Sequence, residues 1–210
     1  MSPPITATRA ASVGGISLQT SFDIGAMHAT SFVSDPKHLG FVLRRYHFVA
    51  RMLRGAGVVL EVGCGDGTGS QIVRPVVAKL IGIDLEPTKV GVQWNILAGP
   101  FDTEPLSAVY ALDVLEHIPP EQEDVALSNM RTHLKPFGTC IIGMPSKESQ
   151  PYASVLSKKH HVNCKTEVEL RSTMARHFHA VFMFGLNDYT LHDGFGPLCH
   201  YRLAVCVGGR

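Results

Sequence analysis

The sequence predicts an α/β fold built on a largely parallel sheet, and three observations predict it. Apolar, strand-like runs alternate with helix-like segments through the middle of the chain. Glycines crowd directly behind the first of those runs. The last two runs, "AVFMFGL" and "YRLAVCV", are joined by a glycine-containing loop with no helix between them, so they form an antiparallel pair at one edge. Alternation of strands with helices is the pattern of parallel βαβ units.

Each element has a local reason. Residues 1–34 read as a flexible N-terminal arm: "MSPPITATRAASVGGISLQT" is small and polar and lacks an apolar signal core. Residues 35–210 then form a single domain. Asp35 before Pro36 is a helix start. Phe41, Val42, Tyr46, Val49, Met52 and Leu53 recur at helical intervals until Gly55. "GVVLEVGCGDGTG" is a strand running into a glycine turn that precedes a helix, and "VRPVVAKLIGIDLEP" is a second strand ending at Asp84. From Asp84 to Asn95 the chain is too short for an ordinary crossover helix. "SAVYALD" (107–113) and "GTCIIGMP" (138–145) are further strands, and "PPEQEDVALSNMRTHLK" between them carries acids at its start and an apolar period of three to four. "TEVELRSTMARHF" (166–178) is the last helix.

Bulk properties narrow the function classes. Nineteen basic and eighteen acidic residues leave a formal charge of +1 over 210 residues, so neither a nucleic-acid nor a membrane surface is indicated. No apolar run approaches the roughly 20 residues that span a bilayer. Five cysteines at irregular spacing, with no C-x-x-C pair, read as a reduced cytoplasmic protein.

The glycine turn carries the strongest chemical signal. In "LEVGCGDGTG", Gly63, Gly65, Gly67 and Gly69 lie between strand and helix, where a ligand can approach backbone amides closely. The dinucleotide fingerprint G-x-G-x-x-G does not fit: its third glycine would fall on Thr68 in one frame and Ser70 in the other. The E-x-G-x-G-x-G pattern instead resembles the first motif of class I S-adenosylmethionine-dependent methyltransferases. "IGIDLEP" resembles their second-strand motif, and "LKPFGTCIIGMP" the motif before their fifth strand, with Phe137 where glycine is common.

That resemblance implies a Rossmann-like, seven-stranded, mostly parallel sheet with helices on both faces and the antiparallel C-terminal edge pair. It implies S-adenosyl-L-methionine as cofactor, held by Glu61, Gly63, Cys64, Gly65 and Gly67 of the first motif and by Asp84 and Leu85 of the second. Asp84 takes both ribose hydroxyls. Asn95, with Ile96 beside it, stands where the family often has an aspartate facing the adenine amine.

"ALDVLEHIPP" places Asp113, Glu116 and His117 at i, i+3 and i+4, a spacing that gathers side chains on one helical face. On the residues alone this trio is either a turn that shapes the pocket or a set of ligands. The later "KKHHVNCKTEVEL" adds His160 and His161 just before a helix. An acid-x-x-Glu-His segment followed by such a histidine resembles the metal-dependent small-RNA 2′-O-methyltransferases, although Asp113 replaces the usual glutamate. The first segment alone also resembles ubiquinone-pathway O-methyltransferases. Carried over, Asp113, Glu116, His117 and His161 bind Mg²⁺ or another divalent metal, with His117 and His161 as the catalytic residues. Mixed carboxylate and imidazole donors suit such an ion. The expected function is methylation of an oxygen on a small hydroxylated metabolite or sugar, the small-molecule methyl acceptor being the partner. Methylation of an RNA or nucleotide ribose, and a non-catalytic cofactor-binding subunit, are the alternatives.

Overall fold

In a computed structural model of the chain, the described residues are 36–187, 190–192 and 199–210, the two-residue strands Ser12–Val13 and Ile16–Ser17, and single positions 29 and 33. The predicted arm thus lies mostly outside the described residues; within it the two short strands pair antiparallel. The domain contains α1 (Pro36–Met52), β1 (Val58–Val62), α2 (Ser70–Val73), β2 (Lys79–Asp84), β3 (Val92–Gln93) and β4 (Leu106–Leu112). It continues with α3 (Glu123–Arg131), β5 (Leu134–Pro145), α4 (Val155–His160), α5 (Glu167–His177), β6 (Phe178–Asn187), β7 (Thr190–His192) and β8 (Tyr201–Gly209).

The strands form one sheet in the order β3-β2-β1-β4-β5-β8-β6-β7. From β3 to β5 all pairings are parallel. The seven expected strands are present, and the three-residue β7 adds an eighth against β6. The closing strands pair antiparallel at one end of the sheet, as expected, with β8 as the inner member of the pair. It inserts between β5 and β6 and runs antiparallel to both. The strand order reverses at β1, which leads to β2 on one flank and adjoins β4 on the other. In open α/β sheets such a switch opens a ligand crevice beyond the carboxyl ends of the strands.

Strand alternation divides the core in two. Val59, Ala108, Tyr110, Leu112, Ile141, Leu203 and Val205 face α1, where they meet Tyr46, Phe48, Val49 and Leu53. Leu60, Val62, Val109, Ala111, Ile142 and Met144 face the other way, against Ala126, Leu127 and Met130 of α3 and Leu170 and Met174 of α5. The period of two that separates these sets is the pleat itself. Helix α5 starts at a capping box: Thr166 Oγ1 accepts from the Glu169 amide, and the Glu169 carboxylate accepts from the Thr166 amide.

Two crossovers are shorter than usual. The helix expected behind the glycine turn is the four-residue α2, which tightens into a 3₁₀ turn over Arg74–Val76 where Pro75 cannot donate a helical hydrogen bond. Between β2 and β3 there is no helix, and Thr88 Oγ1 closes the turn by accepting from the Val90 and Gly91 amides. Among the described residues, no helix is long and apolar enough to cross a membrane.

Candidate active site

Strands β1, β2 and β4 end on one side of an open cavity of about 1750 Å³, and α1, α4 and the start of β8 complete its wall. The glycine turn sits at its floor. Gly63 has φ +78°, and a Cβ there would strike the Val114 methyl, so only glycine suits the position. Gly69 is needed for a different reason: a Cβ would enter the Tyr46 ring, which packs α1 over the loop.

Asp84, at the end of β2, ties the turn together. Its Oδ2 accepts from the Gly65 amide at 2.8 Å and its Oδ1 from the Glu86 amide at 3.0 Å. A carboxylate has about four acceptor sites, so both oxygens retain capacity for further donors such as vicinal hydroxyls. Gly63, Cys64, Gly65, Asp84, Leu85, Asn95 and Ile96 all line the cavity. The Asn95 Oδ1 accepts from the Leu97 amide at 2.9 Å, which holds its side chain across the turn after β3. The Cys64 thiol is pushed up to about 11, chiefly by burial, so it stays protonated and its place in the loop is a backbone one.

Two expected cofactor residues do not reach the cavity wall. Glu61 is 1% exposed and lies beneath the loop, where Ser70 Oγ donates to its Oε2 at 2.5 Å and so pins β1 to α2. Its alternation position turns it towards α1, not outwards. Burial raises its pKa to about 7, against the lowering effect of the Ser70 hydroxyl. Gly67 packs against Val90 and shapes the turn from behind.

The opposite wall carries the polar cluster. Only Leu115–His117 form a 3₁₀ turn, ended by Ile118 in extended conformation before Pro119. Glu116 is fully buried, and neither carboxylate oxygen has a hydrogen-bond partner. Burial, then the neighbouring Asp113 charge, push it well above the ordinary carboxylate range. Its carboxylate, His117 and His161 each present a donor atom within 4.8 Å of the others. The two imidazoles meet edge to face at 5.1 Å. His117 Nδ1 lies 3.1 Å from the His160 carbonyl, and His161 Nδ1 lies 3.1 Å from Gln150 Oε1. Burial, then His117, lower the His161 pKa and favour its neutral ring.

His161 arrives from 45 positions along the chain because its segment is stitched to the Glu116 turn. The Val162 and Asn163 amides both donate to the Glu116 carbonyl, at 2.8 and 3.0 Å. Asn163 Nδ2 and Lys165 Nζ converge on Glu123 Oε2, at 2.9 and 2.7 Å, in a buried network.

Asp113 corrects the sequence expectation. It stands outside the Glu116, His117 and His161 group. It is the one described non-glycine residue with positive φ (56°), and the backbone reversal turns its side chain towards α1. There Arg45 Nη1 donates to Asp113 Oδ2 at 2.6 Å, with the guanidinium 3.9 Å above the Tyr201 ring. The i, i+3, i+4 argument assumed a continuous helix; the 3₁₀ turn begins two residues too late for that. Sequence reading had no role for Gln150 or Tyr201, and no motif marks either. His200 lines the cavity and donates its amide to Asn187 Oδ1 at 3.0 Å, while the side chain of His192 is outside the described residues.

Comparison with known proteins agrees with this geometry. The family described as Methyltransferase domain matches residues 37–182, more than half of the chain. No curated protein matches it significantly. Among solved structures it is similar to the N-methyltransferase NodS from Bradyrhizobium japonicum WM9 in complex with S-adenosyl-L-homocysteine, with TM-score 0.58 and 17% identity over 84% of this chain and 90% of that one. It is also similar to a SAM-dependent methyltransferase from Archaeoglobus fulgidus, with TM-score 0.66 and 15% identity over 87% of this chain and 100% of that one. The methyltransferase domain of bacterial CtHen1-C superposes with TM-score 0.65 and 15% identity, over 81% of this chain and 100% of that one. With the glycine turn, Asp84 and the sheet order in place, the chain belongs to the class I S-adenosylmethionine-dependent methyltransferases.

Proposed function

We propose that this methyltransferase acts on an oxygen of a small hydroxylated acceptor, with a divalent cation held by Glu116, His117 and His161. One observation carries the reading: a fully buried carboxylate with both oxygens unpartnered faces two imidazoles whose Nδ1 atoms are already engaged. A buried carboxylate without hydrogen bonds is costly unless a cation compensates it. The donor set fits such a cation, because the His117 and His161 Nε2 atoms remain as ligand atoms. A divalent ion there would lower the pKa of an acceptor hydroxyl and help to orient it.

The remaining work falls to the chain itself. Asp84 and the glycine turn fix the donor at one end of the cavity, which favours in-line displacement by limiting the approach to one direction. The Arg45–Asp113 pair lines the same cavity and holds the Asp113 carboxylate against α1, with Arg45 offsetting part of its charge beside Glu116. A formal net charge of +1 favours a small acceptor over a polyanion such as RNA.

A second reading, methylation of an RNA or nucleotide ribose, is favoured by the same acid and histidine cluster and by the fold shared with the small RNA methyltransferase HEN1. The test is a methyl-transfer screen with labelled S-adenosylmethionine against catechols, sugars, nucleosides and short RNA, on chelator-treated protein with and without Mg²⁺ or Mn²⁺. Cation-dependent transfer to a small alcohol is the expected result. Transfer indifferent to chelation overturns the metal. Transfer to RNA alone, with binding that weakens as salt rises, selects the second reading.

A further inference from the structure

The cluster contains a residue that no motif marks, and the geometry points to it: Gln150 is a positioning residue that sets the tautomer of His161 and thereby makes its Nε2 available as a ligand atom. This inference rests on the reading of His161 as a metal ligand, but its first consequence can be observed without any metal.

The amide orientation follows from its neighbours. Gln150 Nε2 lies 3.2 Å from the Ser146 carbonyl and 3.3 Å from Ser149 Oγ. A carbonyl can only accept, so the amide must present its NH₂ to Ser146. The Ser149 hydroxyl spends its own proton on that same carbonyl, at 2.7 Å, and so accepts from Gln150. Turning the amide over would set Oε1 against two atoms that have no proton to offer it. Oε1 therefore faces His161 Nδ1, 3.1 Å away. An oxygen without protons requires a donor, which places the imidazole proton on Nδ1 and leaves the lone pair on Nε2.

The platform under Gln150 is rigid. Ser146 is fully buried; its amide donates to the His200 carbonyl at 2.7 Å, and it bridges to Lys165 beside the His161 segment. The Ser146 side chain accepts from the Ser149 amide at 3.1 Å and caps the 3₁₀ turn that carries Gln150. Glutamine is therefore held from one side while it holds histidine from the other. His117 has the equivalent arrangement with a backbone carbonyl, that of His160. The two histidines are thus matched in tautomer by one side-chain acceptor and one main-chain acceptor, and only the former can be removed by mutation.

The test uses ¹⁵N-labelled, metal-free full-length chain. Long-range ¹H–¹⁵N spectra at neutral pH are expected to show His161 with a protonated Nδ1 and an unprotonated Nε2, the form less favoured by free histidine. Gln150→Met, of similar length but without an acceptor, should shift His161 towards Nε2–H. Gln150→Glu, which restores an acceptor, should return the Nδ1–H signature. Mn²⁺ titration followed by electron paramagnetic resonance should show a loss of roughly 10- to 100-fold in affinity for Gln150→Met, as for other outer partners of metal-bound histidines. An unchanged unfolding midpoint in Gln150→Met would separate this loss from misfolding; if that variant does not fold, the wild-type spectrum and Gln150→Glu decide. A wild-type His161 protonated on Nε2, or a tautomer unaffected by Gln150→Met, overturns the inference. The expected spectra without measurable Mn²⁺ binding would sustain Gln150's role and remove the proposed metal instead.

Discussion

Two buried glutamates sit on opposite sides of the same cavity, and their surroundings differ. Glu61, beneath the glycine turn, receives the Ser70 hydroxyl and faces away from the cavity. Glu116, on the acceptor side, lines the cavity and receives nothing on either oxygen. Burial raises both pKa values, yet the first carboxylate braces two elements and the second braces none through its oxygens. The cofactor half is complete by itself, since Asp84 already bridges two backbone amides. The Glu116 side holds a buried carboxylate without a hydrogen-bond partner among the described residues, a state that calls for an explanation.

The sharpest way to break this contrast is to remove a ligand from one half and ask whether the other notices. His161→Ala is expected to lower Mn²⁺ affinity by more than about 100-fold, beyond the usual loss from an outer partner, while S-adenosylmethionine affinity measured by calorimetry stays nearly constant. Equal losses of both would mean that the halves are not separate sites.

Next in size is the pH dependence of Glu61. Its pKa rises from the ordinary 4.5 to about 7 on folding, so the folded state binds the extra proton in that window. The associated stability is fully present below pH 4.5, declines as pH rises, and is lost above about 7. The difference corresponds to about 3 kcal/mol. Urea unfolding of Glu61→Gln against wild type should show a gap in stability that changes by that order between the two ends of the window. A gap constant with pH would contradict the assignment.

Asp84→Ala comes third, with S-adenosylmethionine affinity expected to weaken by about 1–3 kcal/mol because the ribose hydroxyls would lose a half-buried acceptor. Here Mn²⁺ affinity should hold, the mirror image of His161→Ala. The smallest effect is a gain. In metal-free protein at pH 8, Glu116→Gln should raise stability by about 1 kcal/mol by removing a carboxyl group disfavoured by burial, while Mn²⁺ binding disappears. A loss of stability on chemical denaturation would show that Glu116 has partners of its own in the folded state.

The two halves also differ in how far the sequence reveals them. The glycine turn, Asp84, Leu85, Asn95 and Ile96 were legible because strand, turn and ligand-facing residues are neighbours along the chain. Even there, Glu61 and Gly67 were read as contacts and lie behind the loop, since a motif records position but not the direction of a side chain. On the acceptor side, local spacing grouped Asp113 with Glu116 and His117. The reversal at Asp113 and its pairing with Arg45, 68 positions earlier, removed it from that group. Gln150 had no pattern to mark it, because its role depends on a carbonyl, a hydroxyl and an imidazole that meet only after folding.

By itself, the sequence determined the alternation of strands and helices, the antiparallel ending and the cofactor turn, all of which follow from periodicity, glycine placement and short-range chemistry. It also indicated which histidines were worth watching. Tertiary structure alone decided that β8 threads between β5 and β6, that Glu116 is buried without a partner, and that His161 is brought to it through the Glu116 carbonyl. The physical reason is range. Propensity and pleat act over a few residues, whereas burial and hydrogen-bond satisfaction are properties of a site assembled from distant parts of the chain.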